Sequence, residues 1–345
     1  MRIGIDGITM SQPQPGGYRT YTTGLVEHLA ALDNENEYLL FVDRPIAVQL
    51  PANWTVVVLA AKLRGVGVAW REQVTLPRAA RASRIDLLHC PAGTGPVRSH
   101  ARVIATIHDT IEYSEPLPPI SQAHRFGMRV YNRIVQRAIS HRAAHLITGS
   151  EHARQSIANR FRLSETRISV IPDAVSGIYA PMDRSEAGKR VQASHGVCDY
   201  IMAIASLAPR KNDVRLIAAY AQLPQGLRAR HPLLLVCTHP PVEDHVQQTC
   251  SRAGCLNDLR TVVAPSDQEM RLLYSGATVF VFPSLDEGFG LPPLEAMACG
   301  TPVLASDASV MPEVLGDAPY YCDPTSVLSI RQGLQALLTS ESLRA

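Results

Sequence analysis

Two glutamates, Glu287 and Glu295, lie on either side of a Gly- and Pro-rich loop in the segment DEGFGLPPLEAMACGTPV. The preceding segment ATVFVFPS is rich in β-branched and aromatic residues, which predicts a buried strand. Pro292 and Pro293 suit the first turn of a helix, which would end near Gly300. A helix N-terminus attracts anions through its unpaired N–H groups, whereas carboxylates accept hydrogen bonds from hydroxyl groups. The spacing therefore predicts a ligand with an anionic part and a polyol part.

Three other segments place polar or flexible residues at the ends of predicted strands. Arg210 and Lys211 in ASLAPRKNDVRL could clamp a pyrophosphate, although charged loops are also common on surfaces. His108 in ATIHDTIEY could donate a hydrogen bond to a sugar or phosphate oxygen, or could be a structural histidine. Gly16 and Gly17 in QPQPGGYRTYTTGL could present N–H groups to phosphate, or form a plain loop. The segment lacks G-x-G-x-x-G, so it is a weak dinucleotide fingerprint.

Basic residues recur at every fourth position of one long predicted helix. They are Arg125, Arg129, Arg133, Arg137 and His141. Each step of four drifts by about 40° on an ideal helix, so the stripe curves nearly half-way round. The stripe is either a solvated face or a contact surface for anionic lipid or a phosphorylated acceptor.

Short apolar strands alternate with helical segments along the whole chain, which predicts a parallel α/β architecture. Helical spacing is clearest over residues 18–32 and 121–144. The predicted strands are RIGID, EYLLFV, WTVVVL, IDLLHC, RVIATIH, AHLITGS, RISVIP, YIMAIAS, PLLLVCT, LRTVVA, TVFVFPS, TPVLAS and PYYCD.

The chain has 345 residues, enough for two domains. Few strand patterns occur between residues 173 and 199, so the predicted domains are 1–172 and 173–345. Each should be a doubly wound sheet, and the two should face each other across a cleft with ligands at the carboxyl ends of the strands. Residues 1–170 hold 20 Lys/Arg and 13 Asp/Glu, hence +7, whereas the remainder holds 13 and 18, hence −5. The basic half could face an anionic surface.

The composition is that of a globular protein, with 46% apolar and 19% charged residues. The seven cysteines are odd in number and include no C-x-x-C pair, which favours reduced thiols over a disulfide framework. MRIGIDGI predicts a strand and not a signal peptide, and no apolar run approaches the roughly 20 residues that span a bilayer. A cytoplasmic protein is expected, with peripheral contact at the inner face of an anionic membrane as an open alternative.

The Glu-x₇-Glu segment, together with RKN and HD at strand ends, resembles the motifs of the retaining GT-B glycosyltransferases of family 4. These enzymes are also described as group 1 glycosyltransferases, and this chain is similar to the mannosyltransferase-like members. RAAHLITGSEHARQSIANRFRLSETRISVIPDAV is similar to the segment that closes the family's N-terminal domain, where PDAV replaces the usual Pro-Asn-Gly-Val turn. The resemblance covers nearly the whole chain. It implies a GT-B fold, with a Rossmann-like acceptor-side domain followed by a Rossmann-like nucleotide-sugar-binding domain.

The resemblance also implies roles for the residues of the Glu-x₇-Glu segment. Glu295 would accept hydrogen bonds from the ribose hydroxyls of the nucleotide, and Glu287 would lie beside the donor sugar. The backbone N–H groups of Phe289, Gly290 and Leu291 would reach sugar hydroxyls and phosphate.

The remaining roles follow from the same resemblance. Lys211 matches the family's pyrophosphate lysine, and Arg210 adjoins it. His108 matches the histidine near the anomeric carbon, and the Gly16–Gly17 loop matches the one beside the diphosphate and acceptor. Many members have a Gly-Arg pair where this chain has Ala-Ser at 205–206, so Arg210 is expected to replace that arginine.

The implied reaction is retaining transfer of a hexose from a nucleotide-diphosphate sugar to a saccharide or lipid-linked acceptor in polysaccharide or glycoconjugate synthesis. Mannose from GDP-mannose is favoured, because PRKN members often use it. No D-x-D motif occurs, so a metal-bridged diphosphate is not expected. No other cofactor and no nucleic-acid partner is expected either. Without an obvious enzymic nucleophile, a front-face path is favoured, in which the leaving phosphate helps to deprotonate the acceptor.

Other functions stay open at this point. A nucleotide-sugar epimerase on the same architecture would act without an acceptor. A non-catalytic partner subunit would keep the fold, and the missing Gly-Arg arginine is compatible with it. A two-carboxylate glycosidase fits poorly, because the ribose role explains Glu295 better. An NAD-dependent oxidoreductase lacks its fingerprint.

Overall fold

The computed structural model describes residues 1–11, 16–59, 67–114 and 122–344. The chain divides into two compact units, Met1–Asp173 and Ala174–Ala345. Each unit is an α/β sandwich around its own parallel sheet.

The first unit contains a seven-stranded sheet in which every pair of neighbouring strands is parallel. Its strands are β1 (Arg2–Asp6), β2 (Glu37–Val42), β3 (Trp54–Val58), β4 (Leu87–Cys90), β5 (Arg102–Thr106), β6 (His145–Thr148) and β7 (Ile168–Val170). Their spatial order is β3-β2-β1-β4-β5-β6-β7. The order reverses beside β1, which is the point where doubly wound sheets open a crevice for ligands.

Helices connect these strands. They are α1 (Gly17–Leu32), α2 (Gly67–Trp70), α3 (Leu76–Ala82), α4 (Ile111–Ser114), α5 (Ala123–Arg142) and α6 (Glu151–Phe161), with a π-helical turn at Arg71–Thr75 between α2 and α3. Local sequence fixes several ends. The Oγ atom of Ser150 accepts from the Ala153 N–H and caps α6.

The second unit contains a six-stranded parallel sheet. Its strands are β8 (Ile201–Ala205), β9 (Leu233–Cys237), β10 (Leu259–Val263), β11 (Val279–Phe282), β12 (Val303–Ser306) and β13 (Tyr320–Cys322). The spatial order is β10-β9-β8-β11-β12-β13. The order reverses between β8 and β11, so the loops after these two strands meet at the switch point.

The helices of the second unit cover both faces of this sheet. They are α7 (Arg184–His195), α8 (Asp213–Ala221), α9 (Gln225–Arg230), α10 (Pro240–Ala253), α11 (Asp267–Gly276), α12 (Leu291–Ala298), α13 (Met311–Leu315) and α14 (Val327–Thr339). All residues of β9 and β11 are buried, as expected for central strands of a parallel sheet.

The structure confirms the doubly wound α/β class and all of the predicted strands, with bounds up to two residues shorter at either end. The helix predicted over residues 121–144 is α5, and the one predicted over 18–32 is α1. Residues 12–15 and 121 lie outside the described residues. All seven cysteines are free thiols. Among the helices that the structure describes, none is long and apolar enough to cross a bilayer.

Candidate active site

Glu287 is at the centre of a polar cluster at the switch point of the second unit. The residue is only 8% exposed. Oε1 accepts from Lys211 Nζ at 2.7 Å and from Ser284 Oγ at 2.6 Å. Oε2 accepts from Arg210 Nη1 at 2.7 Å. The structure therefore joins the predicted cation pair to the first glutamate of the Glu-x₇-Glu segment.

Asn212 connects the two loops that carry these residues. It has a left-handed backbone (φ 68°), a conformation that Asn tolerates better than most residues. Its Nδ2 donates to the carbonyl oxygens of Pro283 (2.9 Å) and Pro324 (2.7 Å). Asn212 thus occupies the position before α8 without capping it through its side chain. This anchoring fixes the turn that carries Arg210 and Lys211 against the loop after β11.

Two cations, Arg210 and Lys211, meet the Glu287 carboxylate in this cluster. Burial raises the pKa of Glu287, but the nearby charges of Lys211 and Arg210 outweigh burial and hold that pKa below its usual value. The Glu287 carboxylate is therefore ionised at neutral pH. A second acidic group, Asp213, is buried near Lys211; burial raises the pKa of Asp213 to about 6, and the Lys211 charge opposes that effect. Lys211 Nζ also lies 4.9 Å from the centre of the Phe282 ring, a cation–π distance. Two cations beside a helix start favour an anionic ligand.

Hydrogen bonds of Ser309 and the positive φ of Gly290 determine the path of the backbone between Asp286 and α12. Ser309, in a left-handed conformation (φ 56°), donates from Oγ to Asp286 Oδ1 at 2.9 Å. The Glu287 N–H in turn donates to Ser309 Oγ at 3.2 Å. Gly290 has φ 102°, and a Cβ there would collide with the methyl group of Met311. Glycine at 290 therefore lets the backbone enter α12 at this angle.

Glu295 lies one turn into α12, and Phe289, Gly290 and Leu291 stand at the start of that helix. Tyr274 OH donates to Glu295 Oε2 at 3.0 Å. Burial raises the pKa of Glu295 to about 7, although the Tyr274 hydrogen bond lowers it. Near neutral pH this carboxyl is thus poised between its two protonation states.

His108 lies at the carboxyl end of the first unit's sheet, where it contacts Pro91 and two tyrosines of α1. Its Nε2 lies 3.0 Å from the carbonyl oxygen of Pro91. A carbonyl can only accept, so Nε2 carries the proton, and Nδ1 is an acceptor in the neutral ring. Burial lowers the pKa of His108, and the Asp173 carboxylate opposes that effect. The neutral ring would therefore accept from a ligand through Nδ1, in contrast to the donor role predicted from the sequence.

The structure brings the Gly-Gly turn and His108 to the same edge of this sheet. Tyr18 and Tyr21, in the first turns of α1, contact the His108 ring edge-on at 5.2 and 4.6 Å between ring centres. Gly16 and Gly17 precede them on the surface, and a Cβ at either position would meet no atom of the described residues within 4 Å. Local space therefore does not require glycine at these two positions.

The predicted site residues thus fall into one cluster in each unit. Sequence reasoning missed Ser284, Ser309 and Tyr274 in the second unit, and Tyr18 and Tyr21 in the first. Only Ser284 had a sequence cue, because it follows a buried strand directly as polar site residues often do.

Part of the basic stripe on α5 contacts acceptor groups and an aromatic ring of the same chain. Arg129 Nε lies 3.8 Å from Glu112 Oε1. Arg133 Nε donates to the Glu112 carbonyl oxygen at 3.1 Å, and its guanidinium lies 5.6 Å from the Tyr113 ring centre. Ile134, beside the stripe, is 63% exposed. The middle of the stripe, Arg129 and Arg133, therefore packs against α4 and is not simply a solvated face.

Two family models match the chain, one in each unit. The model described as Glycosyltransferase Family 4 matches residues 15–176. The model described as Glycosyl transferases group 1 matches residues 189–345. Together they include every residue of both clusters.

Two curated proteins are similar in sequence to more than half of this chain. O-antigen chain mannosyltransferase B of Escherichia coli is 34% identical over 200 residues, which are 58% of this chain and 52% of that protein. O-antigen chain mannosyltransferase RfbU of Salmonella typhimurium is 29% identical over 219 residues, 64% of this chain and 56% of that protein. The chain therefore spans about half the length of these two relatives.

Solved structures share the fold of nearly the whole chain. Sucrose-phosphate synthase from Thermosynechococcus elongatus superposes with a TM-score of 0.75 at 20% identity, covering 99% of this chain and 91% of that one. This likeness concerns the fold, and it agrees with the predicted GT-B class. On the two family models and this fold, the chain belongs to the group 1 glycosyltransferases of family 4.

Proposed function

We propose that the protein transfers a hexose, with mannose favoured, from a nucleotide-diphosphate sugar to a saccharide or lipid-linked acceptor in polysaccharide or glycoconjugate synthesis. The observation that carries this proposal is the pairing of Arg210 and Lys211 with Glu287 at the switch point of the second unit. The names of both curated relatives support mannose, and GDP-mannose is the favoured donor.

In the proposed complex the second unit binds the donor. Arg210 and Lys211 neutralise the charge that develops on the leaving diphosphate, an effect that is largest in the transition state. The N–H groups of Phe289, Gly290 and Leu291 add dipoles at the start of α12. Glu295 accepts from the ribose hydroxyls.

Glu287 has two proposed roles in this complex. Its contacts with both cations and Ser284 hold them in place before the ligand arrives. Its carboxylate lies beside the donor sugar and orients it. Pre-orientation of charged groups lowers the reorganisation needed in the transition state.

We assign the first unit the acceptor side and the reacting carbon. His108 would lie near the anomeric carbon, and the Gly16–Gly17 turn near the diphosphate and acceptor. The acceptor oxygen forms the new bond to the anomeric carbon as the bond to the phosphate oxygen breaks, on the same face, so the configuration is retained. The acceptor proton passes to the leaving phosphate. Neither a metal nor another cofactor is needed, because the two side-chain cations supply the positive charge.

A thermal-shift screen against GDP-, UDP- and dTDP-sugars tests the donor class. Ligand at 100 times its dissociation constant adds roughly 2.7 kcal/mol to the free energy of unfolding, which raises the melting midpoint visibly. One nucleotide should stabilise the parent protein but not the Glu295→Ala variant. Stabilisation of both proteins alike would place the nucleotide elsewhere and contradict the proposed site.

The stabilising donor is then incubated with and without saccharide acceptors, and the products are identified by mass spectrometry and NMR. An acceptor-dependent α-linked product from an α-linked donor supports retaining transfer. Isomerisation of the donor sugar without an acceptor would indicate an epimerase. Binding without turnover over a broad acceptor panel would favour a non-catalytic subunit.

A further inference from the structure

A second basic site lies at the opposite edge of the first unit's sheet. Arg98, Arg102 and Arg142 line a cavity of about 440 Å³. Arg102 is the first residue of β5, and Arg142 is the last residue of α5. His108 follows the other end of β5, six residues later, which at about 3.3 Å per residue is roughly 20 Å away. The cavity is therefore separate from the His108 cluster.

The three guanidinium groups have no acidic partner among the residues that the structure describes. Within the described part of the chain, no acidic residue lines the cavity, and none of the three arginines forms an ion pair. Arg142 Nη1 makes only a long contact, 3.5 Å, to the carbonyl oxygen of Val97. All three side chains belong to exposed residues, so they can move to meet a ligand. Three unbalanced cations around one concavity create a positive potential that an anion would relieve.

Other residues of the cavity suit an organic phosphate. Val97, Val103 and Ile139 give it an apolar wall. Ser99 also lines it, and among the described residues its buried Oγ has no hydrogen-bond partner. A buried hydroxyl without a partner costs free energy unless a ligand or water satisfies it. The volume is within the range of small-molecule pockets and exceeds the space that a single phosphate needs.

We propose that this cavity, which we call the rear arginine pocket (Arg98, Arg102, Arg142 and Ser99), binds a phosphate ester. Guanidinium groups form paired hydrogen bonds with phosphate oxygens, and the apolar wall would contact the carbon skeleton of the ester. The ligand is either a water-soluble phosphorylated molecule or a phospholipid head group. Both present the same chemistry to the pocket. The site does not depend on the proposed donor site or on the transfer reaction.

Calorimetric titration with inorganic pyrophosphate at low ionic strength tests the pocket. The full chain is used with Lys211→Met, so that the proposed donor site contributes little binding. Adding Arg98→Gln and Arg142→Gln should weaken the binding roughly tenfold or more, because two charge-assisted contacts are lost. The matched control adds Arg78→Gln and Arg81→Gln, which remove the same charge from exposed positions on α3. The control should bind as tightly as its Lys211→Met parent.

Equal binding by the pocket and control variants would overturn the proposal, as would a Lys211→Met parent that binds no pyrophosphate. Circular dichroism checks that each variant is folded. If the double pocket variant fails to fold, Arg98→Gln alone serves, because Arg98 lies in a loop.

Sedimentation with phosphatidylcholine vesicles, with and without phosphatidic acid, separates the two ligand sources. Vesicle binding that requires Arg98 and Arg142 and that pyrophosphate displaces would identify a lipid head group. Pyrophosphate binding without vesicle binding would identify a water-soluble ester.

Discussion

At the residue scale, the protonation of Glu295 should control nucleotide affinity. Burial raises its pKa to about 7, and the proposed ribose contact needs the ionised carboxylate as acceptor. A group whose pKa is raised is protonated below that pKa, so nucleotide affinity should be greatest at about pH 8 and above. It should fall with decreasing pH towards a plateau roughly tenfold weaker, where the carboxyl is protonated. Titration calorimetry between pH 5.5 and pH 8, roughly spanning this pKa, measures the effect.

The Glu295→Gln variant isolates this effect, because it keeps the shape but loses the charge. Its nucleotide affinity should be roughly tenfold weaker at pH 8 and independent of pH. Glu341→Gln is the control, since Glu341 is almost fully exposed near the end of the chain. A Glu295→Gln variant that kept the pH dependence of the parent would assign it to another group.

Lys211 should matter both for the reaction and for the fold. In Lys211→Met the buried Glu287 carboxylate keeps Arg210 and Ser284 but loses one cation. We expect transfer to slow by roughly 100-fold or more, since one stabiliser of the leaving group is gone. The free energy of unfolding should fall by about 1–3 kcal/mol. Steady-state kinetics and urea denaturation measure the two effects.

The exposed Lys189 provides the matched control, and Lys189→Met should change neither quantity. Adding Glu287→Gln to Lys211→Met also removes the carboxylate that accepts from Arg210. This double variant should be no more active than Lys211→Met. Recovery of activity would contradict the role given to the cation.

At the element scale, the entry into α12 depends on Gly290. Gly290→Ala adds a Cβ at φ 102°, where it meets Met311. We expect a loss of roughly 2–4 kcal/mol in the free energy of unfolding, from backbone strain and overpacking together. Gly300→Ala also has a positive φ, 77°, but no atom of the described residues lies within 4 Å of the added Cβ, so it should cost only about 1 kcal/mol.

A double-mutant cycle with Met311→Ala separates the two contributions. Removing the methionine side chain should cancel the overpacking at position 290 and leave the strain, so the two substitutions should be less than additive. Strictly additive losses would mean that the Gly290–Met311 approach is not what constrains the loop.

At the scale of the whole molecule, the proposed transfer needs no metal ion, because Arg210 and Lys211 would supply the positive charge at the leaving diphosphate. Transfer should therefore proceed at an unchanged rate in the presence of EDTA. The measurement compares initial rates in EDTA with those in added Mg²⁺ or Mn²⁺. Loss of activity in EDTA that either metal restores would contradict metal-independent transfer.

Most of the fold could be predicted because its determinants are local. Runs such as LLLVC and VFVF are apolar over their whole length, and such runs are typical of buried parallel strands. The Glu-x₇-Glu spacing is likewise local, since Glu287 and Glu295 flank a single loop and helix start. The sequence therefore identified the order of elements, the family and the candidate residues.

Only the tertiary structure decided how these residues act on one another. Arg210 meets Glu287 across 77 positions because β8 and β11 are neighbours in the sheet, and strand order is not encoded in any short segment. The pKa of Glu295 is another example, because it depends on burial and on Tyr274 from a different helix. Burial and ion pairing arise only when the core is assembled. The pKa of a buried group therefore depends on its neighbours in space rather than on its neighbours in sequence.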